Sequence, residues 1–375
     1  MNKSIVTTTM CMLMGLLTSC SQTDVSIQTP SEITYKLQPI VEELEIPWGT
    51  VFLPDGSLLI TEKNGTLIQV STNTTNTKDT ITGLPEIYQR GQGGLMDIEL
   101  HPDYEENGWI YFSYASEEGE SKGGHTAIGR AQLSGNTLIN FEVLYKGSPN
   151  TKNGRHFGSR IVFDNDNYLY FSIGDRGNRD VNPQNIAKDG GKIYRLHDDG
   201  RVPKDNPFVG DNNAKKAIYS YGHRNPQGMI LHPTGKIWIH EHGPRGGDEI
   251  NIVQKGLNYG WPKITYGVNY SGTNITKNKS LPGLKQPLYY WIPSIAPSGM
   301  IFLEGNIYPE WQESIFVGSL KFSYLERLKM KENKVILREK IAADIGRVRD
   351  VFQDTQGYLY IAVENKGIFK IVPAN

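Results

Sequence analysis

Asp166-Asn167-Tyr168-Leu169-Tyr170-Phe171 is a turn followed by a strand, and the chain repeats that phrase along its length. Asp and Asn favour the turn because their short side chains bond nearby backbone, and Leu, Tyr and Phe then suit a packed, pleated surface. The same order stands in Pro54-Asp55-Gly56-Ser57-Leu58-Leu59-Ile60, Asn107-Gly108-Trp109-Ile110-Tyr111-Phe112, Pro233-Thr234-Gly235-Lys236-Ile237-Trp238-Ile239 and Asp354-Thr355-Gln356-Gly357-Tyr358-Leu359-Tyr360. A weaker copy runs from Pro309-Glu310-Trp311 to Ile315-Phe316-Val317. Taking Leu58, Ile110, Leu169, Ile237, Ile315 and Leu359 as markers, the intervals are 52, 59, 68, 78 and 44 residues. Each is long enough for a four-stranded unit with its loops, and no long segment shows the helical apolar period. The expected fold is all-β, a six-bladed β-propeller, whose radial closure protects strand edges and gathers loops at one channel mouth. The longest intervals fall in the third to fifth units, which is where a site is expected.

The N-terminus reads as an export signal. Lys3 precedes an apolar stretch from Met10 to Leu17 that is too short to cross a bilayer as a helix. Leu17-Thr18-Ser19-Cys20 resembles the lipobox at which bacterial lipoproteins are cleaved and acylated. That reading makes residues 1–19 a lipoprotein signal peptide and Cys20 the lipidated first residue of the mature chain. It also implies an exported protein at the periplasm or cell surface, anchored to the outer membrane only through its lipid. Residues 20–34, polar and closed by Pro30, suit a solvated tether, and folding is expected from Tyr35 to residue 375 as one domain. The only other cysteine, Cys11, lies in the removed segment, so disulfides and thiolate metal sites are excluded from the mature chain. With 39 basic and 40 acidic residues the charge is nearly balanced, and nothing steers the protein toward nucleic acid.

Four glycine-rich segments hold polar residues that turns do not require. Arg90-Gly91-Gln92-Gly93-Gly94 lets backbone approach a ligand, and Gln92 can meet a sugar hydroxyl or simply be solvated. Arg155-His156-Phe157-Gly158 and Gly174-Asp175-Arg176-Gly177 flank one strand phrase, offering a histidine base and a carboxylate that fixes its tautomer. In Tyr221-Gly222-His223-Arg224-Asn225-Pro226 and His240-Glu241-His242-Gly243-Pro244, the two imidazoles lack a third ligand at a recognisable zinc spacing. The Gly243-Pro244 carbonyls suit calcium better, while Asp248, Glu249 and Tyr259 serve either a second ion or the backbone of a turn. Finally, Lys321, Arg347 and Arg349 bring cations together. Arg347 and Arg349 share a strand face, so either an anion sits between them or they form a solvated stripe.

Together these segments resemble the soluble quinoprotein glucose dehydrogenase and aldose sugar dehydrogenase family, also called glucose/sorbosone dehydrogenases. The likeness runs from Ile46-Pro47-Trp48-Gly49 to the final strand and is most specific in Gly91-Gln92-Gly93-Gly94-Leu95, Gly190-Gly191-Lys192-Ile193-Tyr194-Arg195-Leu196, Gly222-His223-Arg224-Asn225-Pro226-Gln227-Gly228 and Asn258-Tyr259-Gly260-Trp261-Pro262. The family fold is a six-bladed propeller. The resemblance implies oxidation of an aldose at C1 by pyrroloquinoline quinone (PQQ) with Ca²⁺, to an electron acceptor that the sequence does not identify. It implies His156 as base, Asp175 as its orienting partner, and Arg224 as the group that stabilises the developing oxyanion. Gln92 would stand near the substrate's C1 hydroxyl, and Gln92, Arg224, Asn225 and Tyr270 near the quinone. Lys321, Arg347 and Arg349 would hold the cofactor carboxylates, and Gly243 and Pro244 would donate carbonyl oxygens to the calcium. Glucose-specialised members carry an acidic residue just before the base; Arg155 stands here, which points to the aldose type with a broader sugar range. Two other classes compete: a propeller that only binds a partner, and a calcium-dependent lactonase, which would gather Glu, Asp and Asn around its metal.

Overall fold

In the computed structural model, residues 33–71 and 77–374 are described; the expected signal segment, Cys20 and the expected tether up to residue 32 lie outside them. Six antiparallel four-stranded sheets form the blades of a propeller. The innermost strands, Pro47–Phe52, Leu95–Leu100, Ile161–Phe163, Pro226–His232, Pro297–Phe302 and Val348–Gln353, follow one another around the axis and close on the first. Each of the six repeated phrases supplies the second strand of a blade: Leu58–Glu62, Trp109–Ser116, Leu169–Ile173, Lys236–Glu241, Ser314–Ser319 and Leu359–Val363. These strands are buried on both faces because neighbouring blades cover them, so they read as continuous apolar runs without alternation. Outer strands such as Thr137–Lys146 are half solvated and carry a weaker signal.

The ring is closed by chain ends. Tyr35–Glu42 pairs antiparallel with Gly367–Pro373 and becomes the outermost strand of the sixth blade. Packing begins slightly before Tyr35: Ile33 lies against the sixth-blade core, and Thr34 exchanges hydrogen bonds with Ala374. The core consists of apolar clusters between blades, such as Leu58 and Ile60 against Phe352 and Tyr360. Each such side chain, fully buried, contributes about 1.5–3 kcal/mol. At the axis, Arg160 bridges Asp97 at 2.8 Å and Asp350 at 3.0 Å and lies over the Trp48 ring, tying blades one, two, three and six together.

Five of the six inner strands slip register within their first few residues, at Pro47/Gly49, Leu95/Ile98, Pro226/Gly228, Pro297/Met300 and Val348/Asp350. Bulges there re-aim side chains at the end of the channel where the inner strands begin. The loops that carry Gln92, His156, Arg224 and Arg347 lead into those strands. Asp175, His242, Lys321 and Glu364 follow the second strands, which return to the same face.

Candidate active site

On that face a cavity of about 840 Å³ is lined by Gln92, Phe157, His242, Pro244, Tyr270, Lys321, Arg347, Arg349 and Glu364, with Lys63 and Arg245 among its other walls. Its lining holds five cations, Lys63, Arg245, Lys321, Arg347 and Arg349, against one carboxylate, Glu364. A larger hollow of about 1020 Å³ opens on the opposite face around Phe52, Tyr104 and Asp354; turns of the repeated phrases line it, and none of the candidate site residues does.

His156 and Asp175 meet beside the cavity: neither lines it, but Gln92 and Phe157, which adjoin His156, do. The Nδ1 of His156 lies 2.6 Å from Oδ1 of Asp175. Sequence suggested one strand between them, but the chain makes a hairpin, down through Ile161–Phe163 and back through Leu169–Ile173. The three-residue inner strand was too short to read, yet without it the two residues would stand at opposite ends of the blade. His156 takes a positive φ of 58° and its backbone N–H donates to Oε1 of Gln92 at 2.6 Å. Thus Gln92 grips the base through one end of its amide, leaving the other end for a ligand. Arg176, itself buried against Phe157, pins the same loop by donating to the carbonyls of Arg155 and Asn153.

Burial lowers the pKa of His156, and the guanidiniums of Arg224 and Arg155 add to this, while Asp175 opposes it. Burial alone would raise Asp175, but the hydrogen bond and charge of His156, then Arg224 and Trp261, hold it below the ordinary carboxylate value. Above the lowered pKa of His156 the imidazole is neutral, and Asp175 stays ionised beside it. With Nδ1–H donating to Asp175, the lone pair of Nε2 is left to take a proton. Arg224 is buried and is not among the residues that line the cavity; it donates to the carbonyl of His242, which is, at 3.0 Å. Asn225 is also buried, and its Oδ1 accepts from the N–H of Gly158, bracing the His156 loop.

The cation wall has a feature the sequence did not show. Arg347 and Arg349 converge on Glu364, with Arg347 Nε at 2.5 Å and Arg349 Nε at 2.9 Å. An anion does sit between them, and it belongs to the protein. Both also line the cavity, with Lys321 beside them; Arg349 is largely buried, whereas the side chain of Arg347 is 49% exposed and stays partly solvated.

The residues read as metal ligands divide between two places. Pro244 lines the large cavity, whereas Gly243, Glu249 and Tyr259 line a buried space of about 10 Å³ together with Glu241 and Thr265. That is room for one water-sized sphere. Burial and the neighbouring Glu241 push Glu249 well above the ordinary carboxylate pKa. The hydroxyl of Tyr259 is engaged with the Ile252 carbonyl and the Gln254 N–H, so this residue has only its backbone carbonyl to offer an ion. Asp248 serves the turn: its oxygens accept from Gly243, Ser294, Ile295 and Ala296. Sequence assigned no role to Glu241, Glu364 or Trp261, although Trp261 stands in the quoted segment Asn258-Tyr259-Gly260-Trp261-Pro262. Glu241 was visible beside His240 and His242, whereas no motif marked Glu364.

The chain is similar to known proteins over most of its length. The family model described as Glucose / Sorbosone dehydrogenase matches residues 44–370. The chain is 39% identical to aldose sugar dehydrogenase YliI of Escherichia coli, over 91% of this chain and 94% of that one. It is 32% identical to quinoprotein glucose dehydrogenase B of Acinetobacter calcoaceticus, over 72% of this chain and 63% of that one. Among solved structures, the PQQ-bound form of aldose sugar dehydrogenase from Streptomyces coelicolor superposes with a TM-score of 0.75 at 26% identity, covering 92% of this chain and 99% of that chain. A propeller with a paired His156 and Asp175 beside a cation-lined cavity, matched by that model over nearly its whole folded length, belongs to the glucose/sorbosone dehydrogenase family.

Proposed function

We propose that this protein is a PQQ-dependent aldose sugar dehydrogenase that oxidises the anomeric C1 hydroxyl of aldoses to lactones. The observation that carries the reading is the cavity itself, five cations and one carboxylate beside a neutral histidine held by an ionised aspartate. Such a lining fits a ligand with several carboxylates better than it fits a neutral sugar alone. Lys321, Arg347 and Arg349 would hold those carboxylates, with Gln92, Arg224, Asn225 and Tyr270 toward the quinone ring. Gly243 and Pro244 would offer carbonyl oxygens to Ca²⁺, and the Glu241–Glu249 pair would favour a second cation, because two neighbouring buried carboxylates repel unless one is protonated or neutralised. When bound, PQQ supplies the hydride acceptor and Ca²⁺ the Lewis acid that polarises it.

The chain's own residues do the rest. Nε2 of His156 takes the proton from the anomeric hydroxyl, Asp175 stabilises the resulting imidazolium, and the sugar, having also given up hydride from C1, leaves as the lactone. Arg224 supplies positive charge beside the pair without moving a proton. Calcium-dependent lactone hydrolysis is less well supported, since the one carboxylate lining the large cavity, Glu364, is occupied by two arginines. Export with lipidation at Cys20 belongs to the same proposal.

The test is His156→Gln, which keeps the volume but cannot accept the proton at neutral pH. Apoprotein loaded with PQQ and Ca²⁺ is assayed for quinone content, melting temperature and sugar-dependent dye reduction on one preparation. Turnover should fall by about 10²–10⁴ with quinone content unchanged. Near-normal turnover with bound quinone would remove His156 as the base, and failure of the unsubstituted protein to bind quinone would favour a binding module.

A further inference from the structure

Asp175 has two oxygens and the site uses both. Oδ1 accepts from Nδ1 of His156 at 2.6 Å and from the N–H of Gly177 at 2.7 Å. Oδ2 accepts from Nε1 of Trp261 at 2.8 Å. Trp261 comes from a different blade, on the long loop between Asp248–Ile252 and Tyr289–Trp291. It is anchored independently of Asp175, its backbone N–H donating to the Gly222 carbonyl at 2.8 Å and its own carbonyl accepting from Gln184 at 2.8 Å. The guanidinium carbon of Arg224 lies 5.4 Å from the centre of its indole ring.

We propose that Trp261 is a positioning residue for the reaction: its indole N–H fixes the Asp175 carboxylate toward Nδ1 of His156, while its ring supports Arg224. The inference rests on His156 being the base. A carboxylate held at one oxygen can swing about its broad terminal torsion; a donor on the second oxygen removes that freedom. An indole N–H donates only, so it cannot take the proton that Asp175 must leave on His156. The plainer alternative is that Trp261 merely packs and its N–H finds whichever acceptor is close, as buried tryptophans do. The two differ in whether the effect passes through Asp175.

Trp261→Phe removes the N–H and keeps an aromatic ring. In apoprotein, the proton on Nδ1 of His156 should give a low-field NMR resonance, which should move upfield or broaden in the variant. In loaded enzyme, kcat should fall about 10-fold with KM nearly unchanged, the scale of losing a supporting hydrogen-bond partner. In an Asp175→Asn background the same substitution should change kcat by less than about 2-fold, because contacts acting through one residue are not additive. Should the phenylalanine variant fail to fold, benzothienylalanine at position 261, with sulfur in place of the indole nitrogen, keeps the shape and tests the same bond. If His156→Gln and Asp175→Asn lose turnover while both Trp261 variants keep it and leave the resonance in place, Trp261 only packs. If His156→Gln keeps turnover, the reading of the base fails instead.

Discussion

At Glu364 a single buried carboxylate changes what two arginines mean. Sequence left Arg347 and Arg349 open between an anion site and a solvated stripe; the structure gives them a shared internal partner and still turns them to the cavity. Burial opposes the charge of Glu364, and Arg349 and Arg347 outweigh it, keeping its pKa below the ordinary value. Converting both arginines to Ala should therefore do two things. Affinity for PQQ, read by titrating apoprotein, should drop at least about 100-fold, since each charge-assisted contact is worth about 1.5–3 kcal/mol. Stability should also fall, because Glu364 is left buried without its cations. Adding Glu364→Gln should recover the stability and not the affinity. Unchanged affinity in the stable triple variant would assign the arginines to structure alone. The residues legible in sequence, His156, Asp175 and Arg224, sit in glycine-rich segments where a polar side chain has no turn to serve. Glu364 and Trp261 were not, because each acts on a partner that only the fold brings near.

Among the elements, the second strand of each blade was readable because burial on both faces gives it a run of consecutive apolar residues, such as Leu58-Leu59-Ile60 and Ile237-Trp238-Ile239. The inner strands were harder: Ile161–Phe163 is three residues long, and the register slips at five others break their pattern just where the site begins. Ring closure was also hidden, since nothing local says that Tyr35–Glu42 pairs with Gly367–Pro373. Tyr35 fastens that closure, its hydroxyl accepting from the Ala342 N–H at 2.6 Å and its ring meeting Trp311 edge-on at 5.9 Å. Tyr35→Ala should cost about 2–4 kcal/mol by lost packing and a lost hydrogen bond, and lower Tm by several degrees. Tyr35→Phe should cost about 1 kcal/mol, the share of the hydroxyl alone. A melting temperature unmoved by Tyr35→Ala would mean that the backbone pairing alone holds the ring shut.

Over the whole molecule, charge and direction are both uneven. A chain with a net charge of −1 concentrates five cations around one cavity. Its N-terminal strand enters at the other end: Tyr35 pairs with Pro373, while Glu42 pairs with Gly367, just beyond Glu364 on the cavity side. The site therefore opens away from the point where residues 20–34 join the body. Replacing Cys20 by Ser should accordingly move the protein from the membrane to the soluble fraction and leave kcat/KM with a soluble dye within about 2-fold. An unsubstituted protein that fractionates as soluble, with no lipid on its N-terminal peptide by mass spectrometry, would overturn the anchor. A released variant with much lower activity would instead show that the membrane side of the propeller contributes to turnover, contrary to the orientation set by the first and last strands.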